Sequence, residues 1–547
     1  MANIKKVISS IFIERHVILS LNRLNFHNLR LNFSTKISTD DSISKYEGVV
    51  GLEVHAQISS KSKLFSSSPV EFGAPTNTKV SFFDAAFPGT LPVLNKSCVE
   101  AGILTALALN CTVNKISTFD RKHYFYPDLP AGYQITQQFK PLASNGHIKF
   151  VVHGKTNNSL SYECLAYLKQ IQLEQDSGRS FHVKGAKSLI DLNRAGIGLM
   201  ELVFEPNLKN GTEAAALVKS LISVLKQIGT CTCEMEEGTL RVDANVSVNK
   251  IGEPFGVRTE VKNINSLRYI ARAVDYEIER QIKIIENGGS IINETRAYDY
   301  SSKKTIFMRD KEILQDYRFM PEPNLPPIRL CDNSDKDEFE NCDNVLNIDD
   351  FQKRLPDLPE KERDTLICKY KLPLNAADRI VHSSGFMKIF EVAASRINDY
   401  SSICNFLFYN LESQLNTRNV SFKESGLSEN YITDLLELLI SKKISDATAN
   451  DILQMSLNGD QRSAQDIVKA YNWFLISEEK ELEKYCNEII TTYEKIAKRY
   501  AKSGKQKDMT TMLIALNQKV NNRASIKMAE KVFARLIHER FQINKTS

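Results

Sequence analysis

A change of texture near residue 330 constrains the fold of this chain more than any other feature. From Tyr46 to about Leu330, apolar residues fall in short alternating or β-branched runs broken by Gly, Pro and Asn. "HIKFVVHG" (147–154) and "LRVDANVSVN" (240–249) alternate as strands do. "AAALVKSLISVLKQIG" (214–229) and "SLRYIARAVDYEIERQIKIIENGG" (266–289) instead repeat at helical spacing, and each runs out in Gly. Strands and helices are interspersed without a regular βαβ rhythm, which predicts an α+β fold. Residues 331–350, "CDNSDKDEFENCDNVLNIDD", are acidic and aperiodic and read as an exposed connection. Beyond them "ENYITDLLELLISKKIS", "AQDIVKAYNWFLI" and "ELEKYCNEIITTYEKIAKRYAK" place apolar residues three and four apart, so the second half is expected to be all-helical. At 547 residues the chain exceeds what one core can organise, and several domains are expected.

With 71 Lys and Arg against 66 Asp and Glu, the net charge of +5 implies no general cationic surface. The positive charge is concentrated at the two ends. Residues 1–39 carry Lys5, Lys6, Arg15, Arg23, Arg30 and Lys36 against the single acid Glu14, and "VISSIFI" and "VILSLNRL" can form amphipathic turns. That composition suits a mitochondrial transit peptide, and no apolar run approaches the ~20 residues of a membrane span. Residues 495–547 hold thirteen Lys and Arg against three acids. There Lys527, Lys531 and Arg535 form an i, i+4 ladder opposite Val532, Phe533, Leu536 and Ile537. Such a ladder is either a solvated helix face or a contact for nucleic-acid phosphates. The ten cysteines include no Cys-x-x-Cys pair, which is the usage of reduced intracellular thiols.

The strand "GVVGLEVHAQI" (48–58) poses the chemical question. Positions two apart share a face, so Glu53 and His55 project together from apolar surroundings. Burying a charge without a partner costs roughly 3 kcal/mol or more. Other isolated acids are Glu174 and Asp176 in "IQLEQDSGR", Glu201 in "GLMELVFEP" and Glu260 in "VRTEVKNINS". Any one of them could be an ordinary paired or capping carboxylate. Gathered in one cleft, they would repel one another unless a divalent cation sat among them. Magnesium favours such oxygen ligands, and an imidazole ligand would also fit manganese. "FDRKHYFYPDLPAGYQITQ" (119–137) adds Arg121, Lys122 and Tyr124, where cations suit phosphates and an aromatic ring can stack on a base. No Walker A loop, Gly-x-Ser-x-Gly or His-Glu-x-x-His sequence is present.

Taken together, "GLEVHAQ", "AFPGTLPVLN", "FDRKHYFYPDLPAGYQIT", "DLNRAGIGLMELVFEP", "MEEGTLRVDANVS" and "EVKNINS" resemble the B-type subunit of the glutamyl-tRNA(Gln) amidotransferases, in order from about Tyr46 to Pro323. "SGK" near Lys505 and "NNRAS" near Ala524 resemble that family's tail signature. The resemblance implies an α+β cradle domain over 45–330, the acidic linker 331–350, a helical domain over 351–475 and a basic helical tail over 476–547 that touches tRNA. A presequence over 1–44 would direct the chain to the mitochondrial matrix. The implied activity is ATP-dependent phosphorylation of the γ-carboxylate of glutamate misacylated on tRNA(Gln), followed by displacement of phosphate by ammonia. A partner amidase, the A-type member of a heterotrimer, would supply that ammonia. A small C-type member would hold the assembly together, with no membrane insertion.

Matched motif by motif, the resemblance implies Glu53, His55, Glu174, Glu201 and Glu260 as catalytic residues around magnesium, or manganese. It implies Arg121, Lys122, Tyr124, Arg194 and Lys262 as contacts for nucleotide or substrate phosphates, and Lys505, Lys527, Lys531 and Arg535 as tRNA contacts. The chain also departs from the family pattern. Gln172 stands where relatives usually have His, Gln175 where they usually have a second Glu, and His123 where they usually have Asn. "ASIK" replaces an Ala-Asn-Pro turn in the tail. The competing expectation is an RNA-binding scaffold of the same complex whose metal site has decayed, against which the retained Glu53, Glu201 and Glu260 argue.

Overall fold

Strand β1 (Tyr46–Gln57) carries its sequence alternation directly into space. Leu52, Val54 and Ala56 are buried in the core, while Glu53, His55 and Gln57 point to the other, half-open face. The computed structural model describes residues 45–154, 160–183, 187–310, 317–334, 345–476, 478–521 and 523–541. The expected presequence and residues 335–344 of the acidic linker lie outside the described residues.

The remaining strands of the main sheet are β2 (Thr112–Val113), β3 (Ala143–Val152), β4 (Tyr162–Gln175), β5 (Gly198–Phe204), β6 (Leu240–Lys250), β7 (Thr259–Ile264), β8 (Glu294–Asp299) and β9 (Lys304–Asp310). Their order across the nine-stranded sheet is β9-β8-β7-β6-β1-β5-β4-β3-β2, which places β1 in the middle. Every neighbouring pair is antiparallel except β7 and β8. Helices α1 (Lys96–Ala108), α2 (Gly211–Ile228) and α3 (Leu267–Glu286) pack with the apolar face of the sheet in one core. Helix α3 is the crossover that the parallel pair requires.

The helix ends follow their sequence signals. Gly229 closes α2 in the left-handed region at φ 72°, and the Ser266 side chain caps α3 by accepting from the Tyr269 N–H. Gly211 opens α2 where the two helices meet. Its N–H donates to Asp275 Oδ1 at 2.7 Å, and a Cβ there would lie 2.0 Å from the Ala271 carbonyl oxygen. Over the open face of the sheet sits a small three-stranded sheet of Asp120–His123, Tyr133–Thr136 and Met320–Pro321.

The α+β first half and helical second half are as expected. Helices from Pro359–Tyr370 to Ala464–Ala470 surround a second core that includes Phe390, Leu407 and Leu436. Helices Glu479–Thr492, Glu494–Ser503, Gln506–Lys519 and Ile526–Arg540 surround a third, around Met512 and Phe533. Two periodic stretches are shorter in space than in sequence. "AQDIVKAYNWFLI" stops being helical at Ala470, because Asn472 turns left-handed (φ 52°) and Trp473 folds back to stack on Tyr471. "ELEKYCNEIITTYEKIAKRYAK" breaks at Tyr493. Just before it, the Thr491 and Thr492 hydroxyls donate to the Asn487 and Glu488 carbonyls, a back-bonding that bends helices. The nine described cysteines are all free thiols.

Candidate active site

The register of the central strands assembles a polar row across the open face. His55 on β1 lies opposite Glu201 on β5 and Arg241 on β6, and Glu201 lies opposite Gln172 on β4. Glu174, two residues along β4, joins from the same face. Ligand atoms of His55, Glu174 and Glu201 lie within 4.8 Å of one another.

Neutral side chains fix the two carboxylates from behind. The Gln172 amide donates to Glu201 Oε2 at 2.6 Å and to Thr136 Oγ1 at 3.2 Å. The Gln134 amide, from the small sheet, donates to Glu174 Oε1 at 2.5 Å and to the Gln175 carbonyl at 2.7 Å. Gln134 Oε1 in turn accepts from the Tyr124 hydroxyl at 2.8 Å. Glu174 Oε2 is left buried with no hydrogen-bond partner among the described residues. Orphaned carboxylate oxygens of this kind are costly unless something positive meets them. Glu53 is held by the Asn245 amide at 3.0 Å and is close enough to raise the Glu201 pKa further.

Electrostatics at the row are polarised. Burial pushes both the Glu174 and Glu201 carboxyls above the ordinary glutamate range, while the Lys122 ammonium opposes that shift. For Lys122, burial alone would lower the pKa, but Glu174 and Glu201 outweigh it and hold the ammonium charged. The Lys122 Nζ lies 5.0 Å from the centre of the Tyr317 ring. Two carboxylates, one of them with an unpartnered buried oxygen, and one imidazole fit a hard divalent cation of the magnesium or manganese type.

Residues 48–335 match the family model described as the GatB/GatE catalytic domain, and residues 388–537 match that described as the GatB domain. The chain belongs to the GatB family. The mitochondrial glutamyl-tRNA(Gln) amidotransferase B-type subunit of Aedes aegypti is 45% identical over 502 residues, covering 90% of this chain and 93% of that protein. The protein of the same name from Homo sapiens is 46% identical over 454 residues, 83% of this chain and 82% of its own. The corresponding aspartyl/glutamyl-tRNA(Asn/Gln) amidotransferase subunit of Rickettsia bellii is 40% identical over 469 residues, 86% and 92% respectively. The resemblance drawn from the motifs is therefore to the right family.

In this GatB chain the other residues singled out from the sequence are placed as follows. Glu260 lies on β7, two strands from His55, with its carboxylate 3.1 Å from Lys262 and 3.3 Å from the Thr295 hydroxyl. Lys262 also pairs with Asp243 at 3.0 Å, and these two acids overcome burial to raise its pKa. Arg121 makes a two-point pair with Glu322 at 2.6 and 3.0 Å and lies over the Tyr133 ring. Arg194 donates to the carbonyls of Ser177 and Gly178 at 3.0 and 2.7 Å, beside Asp176. In the tail, Lys527 and Lys531 are exposed, Lys505 stands at the start of helix Gln506–Lys519, and Arg535 pairs with Glu479 at 2.9 Å and with Glu483. Val532, Phe533 and Ile537 form the buried opposite face.

Sequence reasoning missed Arg241, Asp243 and Asn245, which line the β6 side of the row. The signal was present: "LRVDANVSV" alternates, and its polar members fall on one face. No helix among the described residues is long and apolar enough to cross a membrane.

Proposed function

We propose that this chain is the subunit of a tRNA-dependent amidotransferase that converts Glu-tRNA(Gln) to Gln-tRNA(Gln) at the central polar row of its sheet. One observation carries the reading: in a GatB-family chain, three ligand-capable side chains converge within 4.8 Å around a buried, unpartnered carboxylate oxygen. A scaffold without catalysis has no need to assemble that arrangement.

The chemistry has two steps. A γ-carboxylate oxygen of the glutamyl group attacks the γ-phosphorus of ATP, and ADP leaves. Ammonia then attacks the activated carbonyl carbon, phosphate leaves, and the amide remains. Activation is necessary because an oxide ion is far too poor a leaving group for direct amidation. Phosphoryl transfer depends chiefly on positioning and charge neutralisation. His55, Glu174 and Glu201 would hold a magnesium or manganese ion, which when bound screens the phosphate charge. Lys122 adds a fixed cation beside the two carboxylates. Gln134, Gln172 and Asn245 keep the acids oriented, and Tyr124 fixes Gln134. Glu260 and Asp243 position Lys262 at the far side, where its ammonium can meet a phosphate or the substrate carboxylate.

Ammonia would come from the partner amidase of the heterotrimer, with the small C-type member completing the assembly. The tail ladder of Lys527 and Lys531 would meet tRNA phosphates, with Lys505 and Arg535 nearby in the same tail. The basic residues 1–39 would serve as a mitochondrial presequence, with the matrix as destination. The test is to add ATP, magnesium, glutamine and Glu-tRNA(Gln) to the reconstituted complex. Formation of Gln-tRNA(Gln) is expected, and its absence from a correctly assembled complex would leave the scaffold reading.

A further inference from the structure

A second polar centre lies away from the row, in the seam between the α+β half and the first helices of the helical half. A cavity of about 540 Å³ opens there, lined by His147 and Lys149 of β3, Ser220 of α2, and Arg363, Thr365 and His382 of the helical half. That volume is in the range of small-molecule sites.

Arg363 is the unusual member. It is 1% exposed, yet its Nε and Nη2 groups have no hydrogen-bond partner among the described residues. Its nearest acids stand off at 3.5 Å (Asp378, from Nη1) and 3.7 Å (Glu163, from Nη2), beyond good hydrogen-bond geometry. Nε and Nη2 are the two donors of a single guanidinium edge, the fork that a carboxylate or phosphate fills with two parallel bonds. Leaving both donors buried and unmet is expensive.

The neighbouring helix, on the other side of Asp378 Oδ1, offers a complementary atom. His382 Nδ1 donates to the Asp378 carbonyl at 2.8 Å, so in the neutral ring Nε2 is an acceptor, and that atom too is buried and unpartnered. Burial favours that neutral ring, pulling His382 below the ordinary histidine range even though Asp378 opposes the shift and Lys219 and Arg363 add to it. Asp378 Oδ2 is bonded by His153 Nε2 at 2.9 Å and Lys149 pairs with Glu360 at 3.0 Å, while Asp378 Oδ1, 3.5 Å from Arg363 Nη1 and 3.4 Å from His382 Nδ1, is buried without a hydrogen bond. The Arg363 edge, His382 Nε2 and Asp378 Oδ1 are thus the buried atoms of this cluster with bonding capacity left over among the described residues.

We infer that this seam is a binding site for a small oxyanion that carries a hydroxyl donor, such as hydrogen phosphate or a hydroxycarboxylate, clamped by the Arg363 edge and His382 Nε2. Both clamping groups belong to the helical half, on neighbouring helices, and nothing in the proposed transamidation uses them.

Titration calorimetry on the full chain in its assembled complex tests the site, with inorganic phosphate in one arm and L-malate in the other, at ionic strength fixed with chloride. At least one probe should bind saturably, and the arm that does so tells phosphate from carboxylate. Arg363→Lys should weaken that binding about tenfold or more by replacing the fork with a point charge. Thr365→Trp, which fills the cavity mouth and leaves the fork untouched, should do the same and guards against a folding defect at the buried arginine. Glu201→Gln should leave it unchanged, which separates it from phosphate binding at the polar row. The inference fails if neither probe binds saturably, as when water alone satisfies the fork. It fails equally if a folded Arg363→Lys or Thr365→Trp variant binds as the unaltered chain does.

Discussion

Gln134 shows how much of the site rests on uncharged residues. Its amide ties the Tyr124 hydroxyl to Glu174, so the small sheet that carries Lys122 is fastened to the strand that carries Glu174. Against that background, Glu53→Gln should keep the fold, since Asn245 can still bond a neutral amide. Phosphoryl transfer should fall roughly 100-fold, an effect on the order of 3 kcal/mol in the barrier. Single-turnover assays with bound tRNA would show it, and near-normal turnover would remove Glu53 from the site. A second expectation follows from burial. The folded pKa values of Glu174 and Glu201 lie above the 4.5 of free glutamate, so ionising them costs folded-state stability as pH rises past that value. A bound cation offsets that cost only once both acids are charged. Magnesium should therefore raise Tm more at pH 8 than at pH 5.5, and an equal gain at both would argue against these ligands. At this scale the sequence was legible only in part. Glu53 and His55 stood out because charge interrupts an apolar strand. Glu174 and Glu260 look alike in sequence, but only the fold reveals that Glu260 faces Lys262. The Arg121–Glu322 pair spans 201 positions and leaves no local signal.

Elements were easier to read than residues. The strand alternation and the two helices expected over 214–229 and 266–289 appear where the periodicity puts them, because local pattern and tertiary burial agree there, whereas helix α1 was not among the expected elements. The helical breaks at Asn472 and Tyr493 were not visible, since apolar spacing continues through each and only packing decides where the chain turns. Gly211 marks the closest approach of α2 to α3. Gly211→Ala should cost about 1–3 kcal/mol by overpacking against the Ala271 carbonyl, measurable as a lower urea midpoint. In helix Ile526–Arg540, Lys527 and Lys531 face outward, whereas Arg535 is occupied by Glu479 and Glu483. Changing Lys527 and Lys531 together to Ser should weaken tRNA binding and reduce the slope of log affinity against log salt by about 2, roughly 1 per phosphate contact. Arg535→Ser should change that slope less. If the double substitution leaves affinity and slope alone, the ladder is only a solvated helix face.

At the scale of the whole molecule, three cores give one chain a sheet that carries the polar row, a helical middle and a basic tail. In the proposed division of roles the amidase is a separate partner. Purified alone, the chain should make Gln-tRNA(Gln), if at all, only with high added ammonia, and glutamine should work only once an amidase partner is supplied. Glutamine-dependent product from the chain alone, its purity checked by mass spectrometry, would overturn the division of roles. The most direct test of the central claim is a single-turnover reaction with γ-labelled ATP and Glu-tRNA(Gln), without ammonia, in the reconstituted complex. The polar row predicts a burst of labelled phosphoryl transfer that needs both the divalent cation and Glu-tRNA(Gln), and that drops roughly 100-fold in Glu201→Gln with tRNA affinity unchanged. An equal burst in Glu201→Gln would contradict it.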